Sequence, residues 1–478
     1  MERILSSQEM KKADEYTINE LGVPSEVLVQ RAGEAVAKEI IKRFKGGRVL
    51  VCVGKGNNGA DGKVVAEILA KTHGFNVAVL NVSNGIFKLF EKKFDIIVDC
   101  IFGIGLNREV DGKYKEAIEK INQSGAFIVA CDIASGLNAD NGKVMGACVK
   151  ANLTIAIQEL KLGHFLNDGP DYSGEVISKD IGISIWGEDY AKKLNDVDLK
   201  KIFPKRNRNV NKGDFGKACV FGGSLTYPGS AILAYKALAS LKMGVGYTHL
   251  LVPKNLYEIC LSICPECVLN SVKDDGENLV FDKESIDKVL DCGAISFGMG
   301  AGVTKENYKI IEYILSHYKG KFIIDADGLN TISKYGIEVL KNKKCEVVLT
   351  PHIGEFARLV NKNKCEVIEK QIAFAKEFAS EYNVILILKS AVSVITDGKE
   401  VFINTTGNSG MAKAGSGDVL SGLTAGLLAR GVDTLDGAVA SAYIFGLAGD
   451  FSKREENEYT MTASSVVSAL PKVISSLI

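Results

Sequence analysis

The sequence has no surplus of charge of either sign: 58 lysines and arginines stand against 58 aspartates and glutamates. A chain with no net field does not draw in nucleic acid or an anionic membrane surface, so neither is expected as a partner. It also has no cysteine framework. The eleven cysteines are scattered singly through apolar stretches such as Val51-Cys52-Val53 and Ala218-Cys219-Val220, which reads as reduced core residues rather than disulfides. Cys264 and Cys267 form one Cys-x-x-Cys pair, but no second pair or nearby histidine completes a metal set. The first residues, Met1 to Asn19, are charged and amphipathic and hold neither an apolar signal core nor a run able to span a bilayer. A cytoplasmic location is expected.

What is present is a repeated alternation of short apolar runs with amphipathic stretches, over a length that calls for more than one core. Val49 to Val53, Asn76 to Val82, Asp95 to Asp99, Ala126 to Cys131 and Asn152 to Ile157 read as buried parallel strands. Helical stretches such as Asp61 to Thr72 and Lys113 to Gln123 lie between them. A second series runs through Lys217 to Gly222, Gly246 to Val252, Gly293 to Gly298, Lys321 to Ala326, Glu346 to Thr350 and Val384 to Lys389. Val392 to Thr396 and Glu400 to Asn404, joined by Asp397-Gly398-Lys399, form an edge hairpin. The fold class is therefore α/β, in two layered αβα domains. The segment from Trp186 to Asn211, basic at Lys200, Lys201, Lys205, Arg206 and Arg208 and interrupted by Pro204, reads as a solvated connector. It sets the domains at residues 1–205 and 206–478.

Each domain carries a glycine-rich loop at a helix start, where backbone N-H groups and the macrodipole favour anions. The first, Gly-Lys-Gly-Asn-Asn-Gly-Ala-Asp-Gly at 54–62, follows a strand, though an Asn-Gly turn alone has the same composition. Neighbouring strand ends supply Asp99 with Phe102 to Glu109, and Asp132 with Ser135-Gly136. In a parallel sheet such ends converge on one ligand, although a lone aspartate there also serves as a cap. The second loop, Thr405 to Asp418, ends on an acidic residue suited either to act on a substrate hydroxyl or to cap the helix. Lys389 is a phosphate contact in this reading, His352 in Thr350-Pro-His-Ile-Gly-Glu355 is a substrate ligand or a surface histidine, and Asp325-Ala-Asp327 suits a metal-nucleotide complex or capping.

The first loop, the Asp99-Cys-Ile-Phe-Gly-Ile-Gly105 stretch and Asp132-Ile-Ala-Ser-Gly136 resemble the epimerase domain of the bifunctional NAD(P)H-hydrate repair enzymes, over nearly all of 1–205. Residues 206–478 resemble the ADP-dependent dehydratase domain of the same enzymes. The resemblance implies a Rossmann-like first domain and a ribokinase-like second one. It implies that Asn57, Asn58, Gly59, Ala60, Asp61, Gly103, Ile104, Gly105, Leu106, Asn107, Arg108, Glu109 and Asp132 contact the hydrated nucleotide, with Asp132 as the acid/base group. Asn58, Asp99 and Ser135 are implied potassium ligands.

In the second domain it implies that Ala231, Gly302, His352 and Asp418 meet the hydrated nicotinamide nucleotide, Asp418 catalytically. Lys389, Ser390, Ala391, Val392 and Ser393, with Asn408, Ser409, Gly410, Met411, Ala412, Lys413, Ala414, Gly415, Ser416 and Gly417, are implied ADP contacts, magnesium accompanying the nucleotide. Ala60, Ala134, Ser390 and Ser393 stand where the family has Gly, Pro, Gly and Thr. The implied activity equilibrates R and S hydrates of NADH and NADPH and dehydrates the S form, giving NAD(P)H, AMP and phosphate, in a homo-oligomer. A small-molecule kinase in the second domain, or a non-catalytic scaffold in the first, remain the competing readings.

Overall fold

The computed structural model describes residues 1–478 apart from 86, 188–189, 196–198, 200, 206, 241–243 and 478, and the side chains of 239 and 240. The chain forms two compact units, Glu2–Lys192 and Lys193–Ile478. The division falls inside the segment read as a connector and ahead of the 205/206 boundary. Its cause is apolar: Leu194 and Leu199 are buried in the second unit's core, with Ile202 and Phe203 packed against it. Of the basic residues in that segment, Lys200 and Arg206 lie outside the described residues.

The first unit holds a six-stranded, all-parallel sheet in the order Phe75–Asn81, Gly47–Val53, Ile96–Cys100, Phe127–Cys131, Leu153–Ile157, Glu175–Lys179. Period-two alternation divides its core. Val49, Val51 and Val53 pack with Val36, Ile40, Val65 and Leu69 of the helices Ser25–Arg43 and Asn57–Lys71. Leu50 and Cys52 face Ala117, Ile118 and Ile121 of the helix Gly112–Gln123. The helix after the first loop begins at Asn57 rather than Asp61, so the asparagine pair is its first turn. Gly59 is required there, because a Cβ would stand 2.2 Å from the Gly54 carbonyl oxygen.

The second unit's strands run Val268–Val272, Tyr247–Pro253, Lys217–Phe221, Ala294–Phe297, Lys321–Ile324, Glu346–Leu349, Ile385–Leu388, all parallel. Ser393–Thr396 and Val401–Asn404 then add antiparallel, as the hairpin reading expects. On one face the almost wholly buried helix Ser416–Ala429 packs on Pro228–Ser240. A Cβ at Gly422 would meet the Ala234 carbonyl oxygen at 1.9 Å, so glycine sets that close approach. Among the described residues no helix is long and apolar enough to cross a membrane.

Candidate active sites

In the first unit Asn58, Asp99 and Asp132 come from the C-terminal ends of three adjacent strands or the turn that follows. Asn58 is buried, and its Nδ2 donates to the carbonyl oxygens of Phe102 at 2.7 Å and Cys131 at 3.2 Å. Its Oδ1 has no hydrogen-bond partner in the protein. Asp99, fully buried, accepts from Ser135 Oγ at 2.6 Å, Ser135 N-H at 2.8 Å and Ile101 N-H at 3.2 Å. Burial pushes its pKa up to about 6 against these hydrogen bonds. Ser135 Oγ also lies 3.2 Å from the Phe102 carbonyl oxygen that Asn58 engages. Asn58, Asp99 and Ser135 thus share one oxygen-rich knot.

Above it opens a cavity of about 550 Å³. Asn57, Asn58, Asp61, Gly103, Ile104, Gly105, Leu106, Asn107, Arg108 and Asp132 line it; Gly59, Ala60, Glu109, Asp99 and Ser135 do not. Asp132 adopts the left-handed region at φ 68°, which a non-glycine residue holds only where its surroundings fix it. Its Oδ1 accepts from Ile157 N-H at 3.1 Å and from Lys161 Nζ in a short ion pair. Its Oδ2 faces Gly103, where a Cβ would stand 3.7 Å away. Asp61 lines the same cavity, and burial, then Asp132 and Asp14, push its pKa up to about 8.

That shift has a stability consequence. An unfolded aspartate ionises near 3.8 whereas folded Asp61 keeps its proton to about 8, so folding binds a proton between those values and stability falls as pH rises through the window. Asp61→Asn is expected to stabilise the first unit, with a gain growing between about pH 5 and pH 8, at most about 1.4 kcal/mol per pH unit. Hydrogen exchange of Gly47–Val53 and Ile96–Cys100 in the full chain measures it; a gain independent of pH would contradict a proton-bearing Asp61.

Sequence reasoning missed three residues here: Lys161, His164 and Asp14. A lone lysine inside Glu159-Leu-Lys-Leu-Gly163, four residues beyond a buried strand, was the available signal for Lys161. Asp14, on the amphipathic helix Ser7–Asn19, carries none.

The second site gathers around Asp325, buried at the end of the strand Lys321–Ile324. Its Oδ1 accepts from Lys389 Nζ at 2.9 Å and its Oδ2 from Ser421 Oγ at 2.5 Å. Burial opposes the Lys389 charge, but Asp325 and Glu355 hold its pKa above the ordinary value. Asp418, in the first turn of the helix Ser416–Ala429, is pushed up to about 7 by burial and by Asp325, against a Ser230 hydrogen bond and Lys389. Gly417 lies against the ion pair: a Cβ would be 3.0 Å from Lys389 Nζ and 3.6 Å from Asp325 Oδ2. His352 caps the helix Ile353–Leu359, its Nδ1 accepting from Gly354 N-H at 2.9 Å and Glu355 N-H at 3.2 Å. Burial, Lys389 and Arg358 lower its pKa; with Nδ1 as the acceptor, the half-exposed side chain carries its proton on Nε2, 3.5 Å from Glu355 Oε1.

Gly302 N-H donates to Asp327 Oδ2 at 2.9 Å, which makes Asp327 a loop brace. Ala231 and Val392 are buried and offer only backbone. The loop's side chains are structural: Asn408 is tied to Asp450 at 3.0 Å, and Lys413 to the carbonyls of Tyr459 at 2.8 Å and Met461 at 2.5 Å. Gly415, in the left-handed region at φ 89°, leads into the helix at Ser416. Ser390 Oγ donates to the Val392 carbonyl at 2.6 Å, and Ser393 opens the strand Ser393–Thr396. Glu355, whose pKa burial raises, and Ser421 were missed; their roles depend on neighbours far along the chain.

Residues 218–472 match the family model described as NAD(P)H-hydrate dehydratase, and 25–88 and 83–163 match that of the YjeF-related protein N-terminus. The chain is similar to the bifunctional NAD(P)H-hydrate repair enzyme of Archaeoglobus fulgidus, 33% identical over 98% of both chains. That of Thermofilum pendens is 31% identical, over 99% of this chain and 97% of its own. In fold, 59% of the chain is similar to 98% of the ADP/ATP-dependent NAD(P)H-hydrate dehydratase from Bacillus subtilis co-crystallised with ATP and Mg2+, at TM-score 0.52 and 24% identity. A ribokinase-like superfamily protein from Enterococcus faecalis gives the same TM-score, over 62% of this chain and 98% of that one. With relatives of this identity along its whole length, and two units that carry their sites at the ends of parallel sheets, the chain belongs to the family of bifunctional NAD(P)H-hydrate repair enzymes.

Proposed function

We propose that the first unit interconverts the R and S hydrates of NADH and NADPH, and that the second dehydrates the S hydrate at the expense of ADP, releasing NAD(P)H, AMP and phosphate. The observation that carries the reading is Asp418: a largely buried carboxyl with a pKa about 7 beside a glycine cradle and a buried lysine. A group so poised removes a proton from a substrate hydroxyl at working pH. The oxygen then takes the phosphoryl group, and the later departure of phosphate is far easier than that of hydroxide. Lys389 and the main chain of Gly415–Gly417 face the transferring phosphates, and the Nε2 proton of His352 is a donor to the substrate. Magnesium, which travels largely on nucleotide phosphates, would accompany ADP and neutralise charge there.

In the first unit Asp132 Oδ2 is the acid/base atom, with Asp61 of the same cavity as a proton-bearing neighbour. The unpartnered Asn58 Oδ1, the Asp99 carboxylate and Ser135 Oγ form an all-oxygen set that fits potassium. Bound there, the ion would supply positive charge to an anionic nucleotide.

The test follows reduced-nicotinamide absorbance as the full chain acts on mixed R and S hydrates of NADH with ADP and magnesium. Complete recovery is expected in potassium, and only slowed clearance of the R form when choline replaces it. A plateau at the S fraction with potassium present rejects the epimerase, and a phosphorylated hydrate accumulating without NADH marks the second unit as a kinase.

A further inference from the structure

Lys161 is fully buried, yet its side chain borders the cavity that Asp132 faces. A buried ammonium is costly unless paired and hydrogen-bonded. Lys161 Nζ meets both conditions, pairing with Asp132 Oδ1 and donating to the Ile157 carbonyl oxygen at 2.6 Å. The same turn grips Asp132 a second time. His164 Nδ1 accepts the Lys161 N-H at 3.1 Å, so its proton is on Nε2, which donates to the Asp132 carbonyl oxygen at 2.9 Å. Burial and Lys161 hold His164 down to about 4, which keeps it neutral and fixes that tautomer. The turn itself starts from Gln158 in the left-handed region at φ 65°. Side chain and main chain of Asp132 are thus held by one hook, Gln158 to His164.

We infer that Lys161 is a positioning residue of the first site: it clamps Oδ1 of Asp132, turns Oδ2 alone toward the substrate, and sets a positive charge against that carboxylate. The inference rests on Asp132 being the acid/base group. The other charged groups near Asp132 are Asp61 from the helix Asn57–Lys71 and Asp14 from the helix Ser7–Asn19, while Lys11, Lys55 and Arg108 line the same cavity. Among the described residues the cation paired with it is Lys161. Without that ammonium Asp132 faces two carboxyls in a poorly solvated place and binds a proton more tightly.

The experiment measures kcat/KM for hydrate interconversion against pH in the full chain, for wild type, Lys161→Met, Lys161→Arg and Asp132→Asn. Dehydration of purified S hydrate checks the second unit, and hydrogen exchange checks that the first is folded. Lys161→Met is expected to lose ~10-fold or more at neutral pH, with the acid limb of its profile moved up by about one pH unit. Lys161→Arg, which keeps the charge, is expected to hold the limb in place and lose kcat with KM little changed, because its larger head displaces Oδ2. Loss of rate in Lys161→Met with an unmoved limb overturns the inference. If Lys161→Met does not fold, Lys161→Arg decides, and a wild-type kcat there overturns it. Wild-type interconversion in Asp132→Asn removes the underlying reading instead, and is distinguishable from either result.

Discussion

Asp418→Asn is expected to lower ADP-driven dehydration of the S hydrate by ~10²–10⁴-fold while interconversion of R and S continues at its wild-type rate. Asparagine has the size of aspartate and keeps a side-chain acceptor for Ser230, so what is removed is the proton-accepting capacity. The loss belongs in kcat rather than KM, because the proposed phosphate contacts, Lys389 and the Gly415–Gly417 main chain, are left in place by the change. For the wild type, kcat/KM should rise with pH through the Asp418 pKa of about 7, as that carboxyl must be ionised to accept a proton. The rise disappears in the variant. Stability moves the other way: folded Asp418 holds its proton from about 3.8 to about 7 whereas the unfolded chain does not, so the wild type loses stability across that window and asparagine does not. Initial rates of absorbance recovery on purified S hydrate measure the first effect. A variant within ~10-fold of wild type at neutral pH sinks the assignment.

Legibility in the sequence followed burial. Strands with both faces covered, such as Val49–Val53 and Ile385–Leu388, are unbroken apolar runs and could be found by inspection. Glu175–Lys179 and Val268–Val272 could not, because each closes one edge of its sheet with a half-exposed, partly polar strand. The same rule held at the sites. Asp99, Asp132 and Asp418 stand where a strand or glycine loop ends, a local signal. Lys161 reaches Asp132 across 29 residues, and Ser421 reaches Asp325 across 96; only folding brings such partners together. Asp14 shows the limit most plainly: on its own helix it is one more polar residue on an amphipathic stretch, and its place beside Asp132 exists only in three dimensions.

Asp132→Asn is expected to lower interconversion by a similar ~10²–10⁴-fold and to leave dehydration of purified S hydrate unchanged. With mixed hydrates, ADP and magnesium, absorbance then climbs quickly to the S fraction and creeps upward afterwards at the uncatalysed rate. Asparagine is the informative replacement because it tolerates the left-handed conformation that Asp132 holds at φ 68°. Alanine at that φ would add backbone strain to the loss of charge. The substitution still leaves the buried Lys161 ammonium without its carboxylate, a loss on the order of 3–5 kcal/mol for a broken buried pair. Reduced activity alone could therefore come from a loosened first unit. The double variant Asp132→Asn/Lys161→Met separates the causes, since removing both charges relieves the unpaired ammonium and should restore much of the hydrogen-exchange protection in Ile96–Cys100 and Phe127–Cys131. A proton-transfer role predicts that interconversion stays lost in this stabilised chain. Recovery of activity along with protection would show that Asp132 serves only to neutralise the buried Lys161 charge, and the acid/base atom would have to be sought among Asp61 and Asp14, which also line the cavity.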